Sequence, residues 1–249
     1  MEAIKERIQE NWNKNANNYD EQYLHGLKSP EEAKAWHALL RELIPVPNQK
    51  ILDVGTGTGF LALLLAEQGH SCKGIDLSPG MLSEAIAKAK KANLDILFEV
   101  GDAEALTDAD NSYDIVINRH ILWTMPHPQQ AVEEWTRVLK PGGYLIVIDG
   151  DWFFNSFKNN VQIFIGKLLT LASGGGNLFR RGDSSVKNSL PMTQPKNAKN
   201  APKLLEQAGL SVTIREAENV LAAERAAMPI TQRLLNPHKR IILIGQKAV

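Results

Sequence analysis

Residues 52–60, LDVGTGTGF, place Gly55, Gly57 and Gly59 at alternate positions between a strand-like apolar run and a helix-like apolar run. Glycine lets the backbone turn sharply and approach a ligand closely, because no side chain intrudes. A strand, a glycine loop and a helix in this order are typical of nucleotide-binding α/β folds. The dinucleotide pattern has its third glycine one position later, where Phe60 stands here. The loop therefore predicts a nucleotide or nucleoside site without selecting the cofactor.

Strand-like and helix-like runs alternate on both sides of this loop. The strand-like runs are KILDV, CKGIDL, ILFEVGD, YDIVINR and YLIVID, with SVTIRE and KRIILIGQ nearer the end of the chain. Ser78 and Pro79 predict the start of a helix, because serine caps a helix and proline suits its first turn. The alternation indicates right-handed βαβ crossovers. We therefore predict a Rossmann-like, doubly wound, mostly parallel seven-stranded sheet, with its site at the carboxyl ends of the strands.

A single domain over residues 1–249 accounts for the whole pattern. Residues 45–151 form the nucleotide-binding core, and residues 196–249 supply a helix and the strands that complete the sheet. Residues 1–44 are predicted to be one or two helices, and residues 152–195 an insertion between the fifth and sixth strands. The insertion contains FKNNVQIFIGKLLTLA, whose apolar stripe is too wide to leave in water. We expect both flanking segments to form a helical cap over the acceptor.

Composition excludes several classes of function. Lys plus Arg and Asp plus Glu both number 28, so no overall positive field favours nucleic acid. The single cysteine, Cys72, excludes an internal disulfide framework, and the histidines show no paired ligand spacing, so we predict no metal. No signal peptide or continuous membrane span is visible, which favours a cytoplasmic protein without stable membrane insertion.

Charge is nevertheless uneven along the chain. The stretch from Lys158 to Lys203 contains eight basic residues and one acidic residue, Asp183. Such an excess fits either a solvated loop or a surface that meets a carboxylate or phosphate on an acceptor.

Five motifs in order select the family. ILDVGTGTG, GIDLS, GDAEAL, YDIV and RVLKPGG follow one another between residues 51 and 143. Together they resemble the class I S-adenosylmethionine-dependent methyltransferases, over about residues 45 to 150. The branch that the chain is most similar to is the small-molecule group that includes the ubiquinone and menaquinone C-methyltransferases. The resemblance implies S-adenosyl-L-methionine as cofactor.

The resemblance also implies roles for residues around the glycine loop. Asp53 orders the loop and reaches the amino group of the cofactor. The methionine and ribose portions are lined by Gly55, Thr56, Gly57 and Gly59. Asp76, at the end of the second strand, holds the ribose hydroxyls, although a nicotinamide dinucleotide would use an acid there too.

The remaining implied contacts come from later motifs. Leu77 and Met81 pack against the adenine, Asp102 accepts from its exocyclic amine, and the Ala103 amide reaches a ring nitrogen. Asn118 and Arg119 lie beside the methionine end. Tyr19 or Tyr23 lies across the cofactor as a lid. These residue types suit the cofactor, since its ribose diol and its amine need hydrogen-bond acceptors and its flat ring needs apolar neighbours.

Two residues at the end of the fourth strand, His120 and Arg119, each allow two interpretations. His120 is a candidate general base, because imidazole titrates near neutrality, or else a packed structural residue. Arg119 either contacts the cofactor carboxylate or forms a structural ion pair with Asp53 or Asp149.

The predicted function is methyl transfer by in-line displacement to a small-molecule acceptor, anionic or partly apolar, held under the helical cap. Such an enzyme aligns the acceptor and excludes water, so it needs no covalent residue. The acceptor atom stays open among N, O, S and C, and no oligomeric state is predicted. The alternatives are an NAD(P)-dependent oxidoreductase, and a non-catalytic module that binds a nucleoside or a partner.

Overall fold

A computed structural model of the protein describes residues 2–150, 157–172, 190–194 and 199–249. The amino-terminal part is helical, with α1 over Glu2–Asn15 and α2 over Pro30–Leu43. Five strands and three helices then alternate: β1 (Lys50–Val54), α3 (Phe60–Ala66), β2 (Ser71–Asp76), α4 (Pro79–Lys91), β3 (Leu97–Val100), β4 (Tyr113–Arg119), α5 (Pro128–Val138) and β5 (Leu139–Gly150). After β5 come α6 (Phe157–Ala172), α7 (Ala201–Gln207), β6 (Leu210–Glu216), α8 (Glu218–Ala226), α9 (Ile230–Leu235) and β7 (Arg240–Lys247).

The strands form one seven-stranded sheet in the order β3-β2-β1-β4-β5-β7-β6. The first five strands pair in parallel, and β7 lies antiparallel to both β5 and β6. The prediction of a mostly parallel, doubly wound sheet is confirmed. Because the strand order reverses at β1 and β4, the crevice at their carboxyl ends is the expected ligand site of such a sheet.

Each face of the sheet carries its own apolar core. On one face α5 packs through Trp135, which is fully buried and donates from Nε1 to the Ala103 carbonyl at 2.9 Å. On the other face α2 and α3 pack through Trp36, Leu40 and Leu65. A parallel sheet buried on both faces explains why β1 and β4 read as nearly continuous apolar runs.

Serine side chains cap two of the helices. The Ser78 hydroxyl accepts from the Met81 N–H at 3.1 Å and caps α4, as the sequence predicts. Ser29 caps α2 in the same way, through the Glu32 N–H. The strand β5 begins earlier than the predicted run YLIVID, because Leu139 already pairs with Tyr113; a register irregularity follows that pair.

The insertion between β5 and β6 contains the predicted helix, α6, and a cap formed by residues 152–195 stays a prediction. None of the described side chains of α6 lines the pocket. The helix packs instead against α9, where Gly166 lies next to Leu234 and Leu235. Arg180, Arg181, Asp183 and Lys187 lie outside the described residues. Among the helices of the described ranges, none is long and apolar enough to cross a bilayer.

Candidate functional site

A pocket opens at the carboxyl ends of β1, β2 and β4, where the fold predicts it. Nine of the residues singled out in the sequence line this pocket: Tyr19, Gly55, Gly57, Asp76, Leu77, Met81, Ala103, Arg119 and His120. Six more line it beside them: Ile8, Trp12, Gly101, Ile121, Thr124 and Met125. Five of the predicted residues, namely Asp53, Thr56, Gly59, Asn118 and Asp102, do not line it.

Two glycines of the loop need their backbone conformation and their lack of a side chain. Gly55 has φ +66°, and a Cβ there would lie 2.1 Å from Ile121 Cδ1. Gly57 has φ +56°, and a Cβ there would meet nothing within 4 Å, so it would project into open space at the pocket. A side chain at either position would strain the loop or occupy room that a ligand needs.

Asp76 is the carboxylate of the pocket. Its Oδ2 accepts from the Gly57 N–H at 2.9 Å, and its Oδ1 accepts from the Ser78 N–H at 2.8 Å. Burial raises its pKa above the usual value, while the two backbone donors oppose that rise. Each oxygen has a second lone pair, so the carboxylate can still accept two further hydrogen bonds.

Asp53 and Thr56 act beneath the loop instead of in the pocket. The Thr56 hydroxyl donates to Asp53 Oδ2 at 2.7 Å, and the Ala62 N–H donates to the same oxygen at 3.2 Å. Burial raises the pKa of Asp53 to about 6. Gly59 has φ +81° and stands at the amino end of α3, beside Ala85 and Phe98. The three residues shape the loop, and their predicted contacts with the cofactor do not follow from this arrangement.

Asp102 is engaged by α1. Its Oδ2 lies 2.6 Å from Lys5 Nζ, and its Oδ1 accepts from the Glu104 N–H at 2.9 Å. Lys5 also lies 2.6 Å from Glu104 Oε2, so one lysine bridges two carboxylates. The neighbouring Ala103 lines the pocket, as do Leu77 and Met81. The apolar wall predicted for a flat ring is therefore present, whereas the carboxylate predicted beside it is held by a lysine.

Arg119 ends β4 and lines the pocket. Its Nη2 donates to the His25 carbonyl at 2.6 Å, and its guanidinium lies 3.5 Å from the centre of the Phe60 ring. No carboxylate oxygen of a described residue lies within 4.0 Å of it, so the predicted ion pair with Asp53 or Asp149 is not formed. Burial lowers its pKa to about 10, which still leaves it charged at neutral pH. The neighbouring Asn118 is fully buried, and neither the nitrogen nor the oxygen of its amide has a hydrogen-bond partner among the described residues.

His120 lines the pocket in a left-handed backbone conformation, with φ +62°. Its Nε2 lies 2.9 Å from Arg240 Nη1. Because a guanidinium only donates, Nε2 must accept, and the proton of the neutral ring lies on Nδ1. Arg240 is held in turn by Glu224, at 2.7 Å between Nη2 and Oε1, and both are buried. Burial first, then Arg240, Arg119 and His25, depress the pKa of His120 well below its usual value.

Helix α1 lies in the segment that the sequence predicts as a cap, and two of its side chains line the pocket. Ile8 and Trp12 reach the pocket, and Gln9 Nε2 donates to the Leu77 carbonyl at 2.6 Å. Asn13 Oδ1 accepts from the Ser78 hydroxyl at 2.6 Å and from the Gly80 N–H at 3.0 Å. The Tyr19 ring stands edge-on to Trp12, with 5.8 Å between ring centres. A sequence pattern predicts a helix in this segment, but it does not predict that α1 contacts the residues around Leu77, Ser78 and Gly80.

Comparison with known proteins indicates the family of the domain that contains this pocket. Residues 52–147 match the family described as methyltransferase domain. A demethylmenaquinone methyltransferase of Renibacterium salmoninarum is 37% identical over 119 residues, covering 47% of this chain and 48% of that protein. A ubiquinone/menaquinone biosynthesis C-methyltransferase of Ruegeria is 35% identical over 149 residues, covering 57% and 58%. Residues 52–147 therefore carry a methyltransferase domain, which is similar to those of S-adenosylmethionine-dependent enzymes.

The family resemblance seen in the motifs is thereby confirmed, and the nicotinamide alternative finds no support among these relatives. The aligned stretch spans about half the length of the two relatives. The similarity in fold covers more of the chain than the similarity in sequence does. A crystal structure of a putative S-adenosyl-L-methionine-dependent methyltransferase from Methanococcus maripaludis is 16% identical with a TM-score of 0.59, and the match covers 99% of this chain and 94% of that one.

The methyltransferase domain has room and chemistry for S-adenosylmethionine. Gly57 leaves open space at the pocket, and Asp76 keeps two acceptor positions for a diol. Arg119 offers a charged donor to a carboxylate, since no described acidic side chain occupies it. Leu77, Met81 and Ala103 give an apolar wall. These features fit the ribose, the amino acid carboxylate and the adenine of this cofactor.

Proposed function

We propose that the chain transfers a methyl group from S-adenosylmethionine to a small-molecule acceptor. One observation carries the proposal: a carboxylate and a guanidinium that makes no ion pair with any described residue flank the glycine loop. Asp76 ends β2 and Arg119 ends β4, and β1, which leads into the loop, lies between these strands in the sheet. A ligand that crosses the loop thus meets an acceptor group on one side and a cation on the other.

Each residue has an assigned part in binding. Asp76 accepts from the two ribose hydroxyls, and Arg119 pairs with the carboxylate of the methionine portion. Leu77 and Met81 pack against the adenine, and the Ala103 N–H donates to a ring nitrogen. When bound, the cofactor supplies a methyl group activated by its sulfonium charge. Tyr19, Trp12 and Ile8 cover the pocket, so they exclude water and hold the acceptor in line.

The acceptor is proposed to be a quinone-type ring or a precursor of one. The two relatives act on such compounds by name, and the pocket has apolar walls at Ile8, Ile121 and Met125 that suit a partly apolar ring. Residues 1–44 form the cap over this ring in the proposed enzyme, as the position of α1 supports. A cytoplasmic location and the absence of nucleic-acid binding stay predictions from composition.

The general base predicted from the sequence, His120, is engaged in a hydrogen bond with Arg240. While Nε2 of His120 accepts from Arg240, that nitrogen has no lone pair for a substrate proton. A base role for His120 therefore requires that Arg240 release it. Without that release, the proposed mechanism needs an acceptor that reaches the site already deprotonated, and His120 serves as an N–H donor.

Calorimetric titration with S-adenosylmethionine, S-adenosylhomocysteine and NADH tests the cofactor first. We expect micromolar binding of the first two and none of NADH. Mass spectrometry of reactions with hydroxylated benzoquinols and naphthoquinols then tests transfer. Asp76→Ala should abolish product, while Asp95→Ala, at an exposed carboxylate away from the pocket, should not. Cofactor binding without product from any acceptor would instead favour the non-catalytic nucleoside-binding alternative.

A further inference from the structure

The residue that follows Gly59 distinguishes this glycine loop from the dinucleotide pattern. That pattern has its third glycine there, which lets the following helix pack closely on the sheet. Here Phe60 occupies the position and begins α3. Phe60 is not one of the residues that line the pocket, so a role in ligand binding would have to act through another residue.

The ring of Phe60 lies against Arg119. The ring centre is 3.5 Å from Cζ of the guanidinium, a distance at which the face of an aromatic ring attracts a cation. Trp36, on α2, stands edge-on to Phe60 with 5.1 Å between ring centres, and its own ring centre lies 5.4 Å from the same Cζ. Because Trp36 is fully buried, the two rings form a fixed support for the guanidinium.

The charge of Arg119 needs this support because few other groups compensate it. Its Nη2 donates to the His25 carbonyl, and no carboxylate oxygen of a described residue lies within 4.0 Å of it. Arg240, 5.3 Å from the Trp36 ring centre and paired with Glu224, adds a like charge nearby. A buried cation without an ion pair is costly. Ring faces offset part of that cost, and they leave N–H groups of the guanidinium for a further acceptor.

We infer that Phe60, supported by Trp36, is a positioning residue that holds the guanidinium of Arg119 ready for the carboxylate of the cofactor. This role rests on the proposed pairing of Arg119 with that carboxylate. An arginine side chain has many rotamers, and ordering it when a ligand binds reduces the affinity. A guanidinium already held against a ring loses less freedom when the carboxylate arrives. Phe60 thereby favours ligands that place a carboxylate beside the glycine loop.

Calorimetry of Phe60→Leu with S-adenosylhomocysteine and methylthioadenosine tests the inference, because only the first ligand has the carboxylate. Phe60→Leu should weaken S-adenosylhomocysteine by about three- to tenfold, the expected cost of ordering one long side chain, and change methylthioadenosine by less than about twofold. Phe60→Tyr keeps the ring, so it should bind both ligands within about twofold of the parent. The ratio of the two affinities is measured within each variant, so a smaller folded fraction does not alter it.

Phe98→Leu is the matched control, because Phe98 also packs at the glycine loop, where a Cβ on Gly59 would lie 3.3 Å from its ring. It should leave the ratio of affinities unchanged. In the Arg119→Gln background, Phe60→Leu should change the affinity for S-adenosylhomocysteine by less than about twofold, since no guanidinium remains to be positioned.

Two results overturn the inference alone, while Arg119→Gln still weakens only S-adenosylhomocysteine. In the first, Phe60→Leu weakens both ligands equally, and in the second it weakens neither. If Arg119→Gln leaves the affinity for S-adenosylhomocysteine unchanged, the proposed carboxylate contact is wrong and the role of Phe60 is overturned with it.

Discussion

Asp76→Ala tests the placement of the ribose most directly. The carboxylate can accept from two ribose hydroxyls, and a hydrogen bond to a charged group contributes about 1.5 to 3 kcal/mol. Losing both should weaken binding of S-adenosylhomocysteine by roughly 3 to 6 kcal/mol, which corresponds to about 100-fold or more. The substitution also releases the Gly57 and Ser78 N–H groups, which Asp76 holds at 2.9 and 2.8 Å. Loss of affinity alone would not separate these two causes.

A second ligand separates them. The 2′,3′-dideoxy analogue of S-adenosylhomocysteine lacks the hydroxyls, so any disordering of the glycine loop should weaken both ligands equally. Calorimetry of the parent and of Asp76→Ala with both ligands completes a double-mutant cycle. We expect the parent to prefer the natural ligand by about 100-fold and the variant by less than about threefold. If the variant kept the full preference, the hydroxyls would lie elsewhere and the assignment of Asp76 would be refuted.

Three further predictions follow from the site. Arg119→Gln should weaken S-adenosylhomocysteine by about tenfold or more and leave methylthioadenosine, which has no carboxylate, unchanged; Arg41→Gln, at an exposed position, is the calorimetric control. Asp53 has its pKa raised from 3.8 to about 6, so its contribution to the free energy of unfolding falls by about 3 kcal/mol as pH rises through that window. Urea unfolding should show that Asp53→Asn gains stability relative to the parent between about pH 4 and about pH 7. Nitrogen NMR should find His120 neutral, with its proton on Nδ1, from about pH 5 to about pH 8; a proton on Nε2 would contradict the contact with Arg240.

The parallel sheet could be predicted because its signals are local. An apolar run that ends in glycine, and a serine followed by proline, fix where β1 ends and where α4 begins. Asp76 and Arg119 could be singled out because both stand at the end of a strand, and the ends of parallel strands meet at one edge. The limits of β5 were harder to predict, since Pro141 and Gly142 are typical of turns, yet Leu139 already pairs with Tyr113.

Contacts between distant parts of the chain could not be predicted from such signals. Lys5 reaches Asp102 across 97 positions, and Arg240 reaches His120 across 120. Neither pair shares a helix or a hairpin, so no periodicity relates them. The same applies to Ile8 and Trp12, which line the pocket from a helix whose sequence shows only alternating charges and a few apolar positions.

Several contacts between distant parts of the chain hold α1 at the pocket. Because Lys5 bridges Asp102 and Glu104, helix α1 is tied to the loop that carries Ala103. Gln9 and Asn13 tie the same helix to the start of α4 through the Leu77 carbonyl, Ser78 and Gly80. Opening α1 would break the ion pair of Lys5 with Glu104, whose side chain is 1% exposed, together with these hydrogen bonds, and it would expose the buried Ile8. Several contacts therefore hold α1 at the pocket at once, and ligand contacts with Trp12 and Ile8 would add to them.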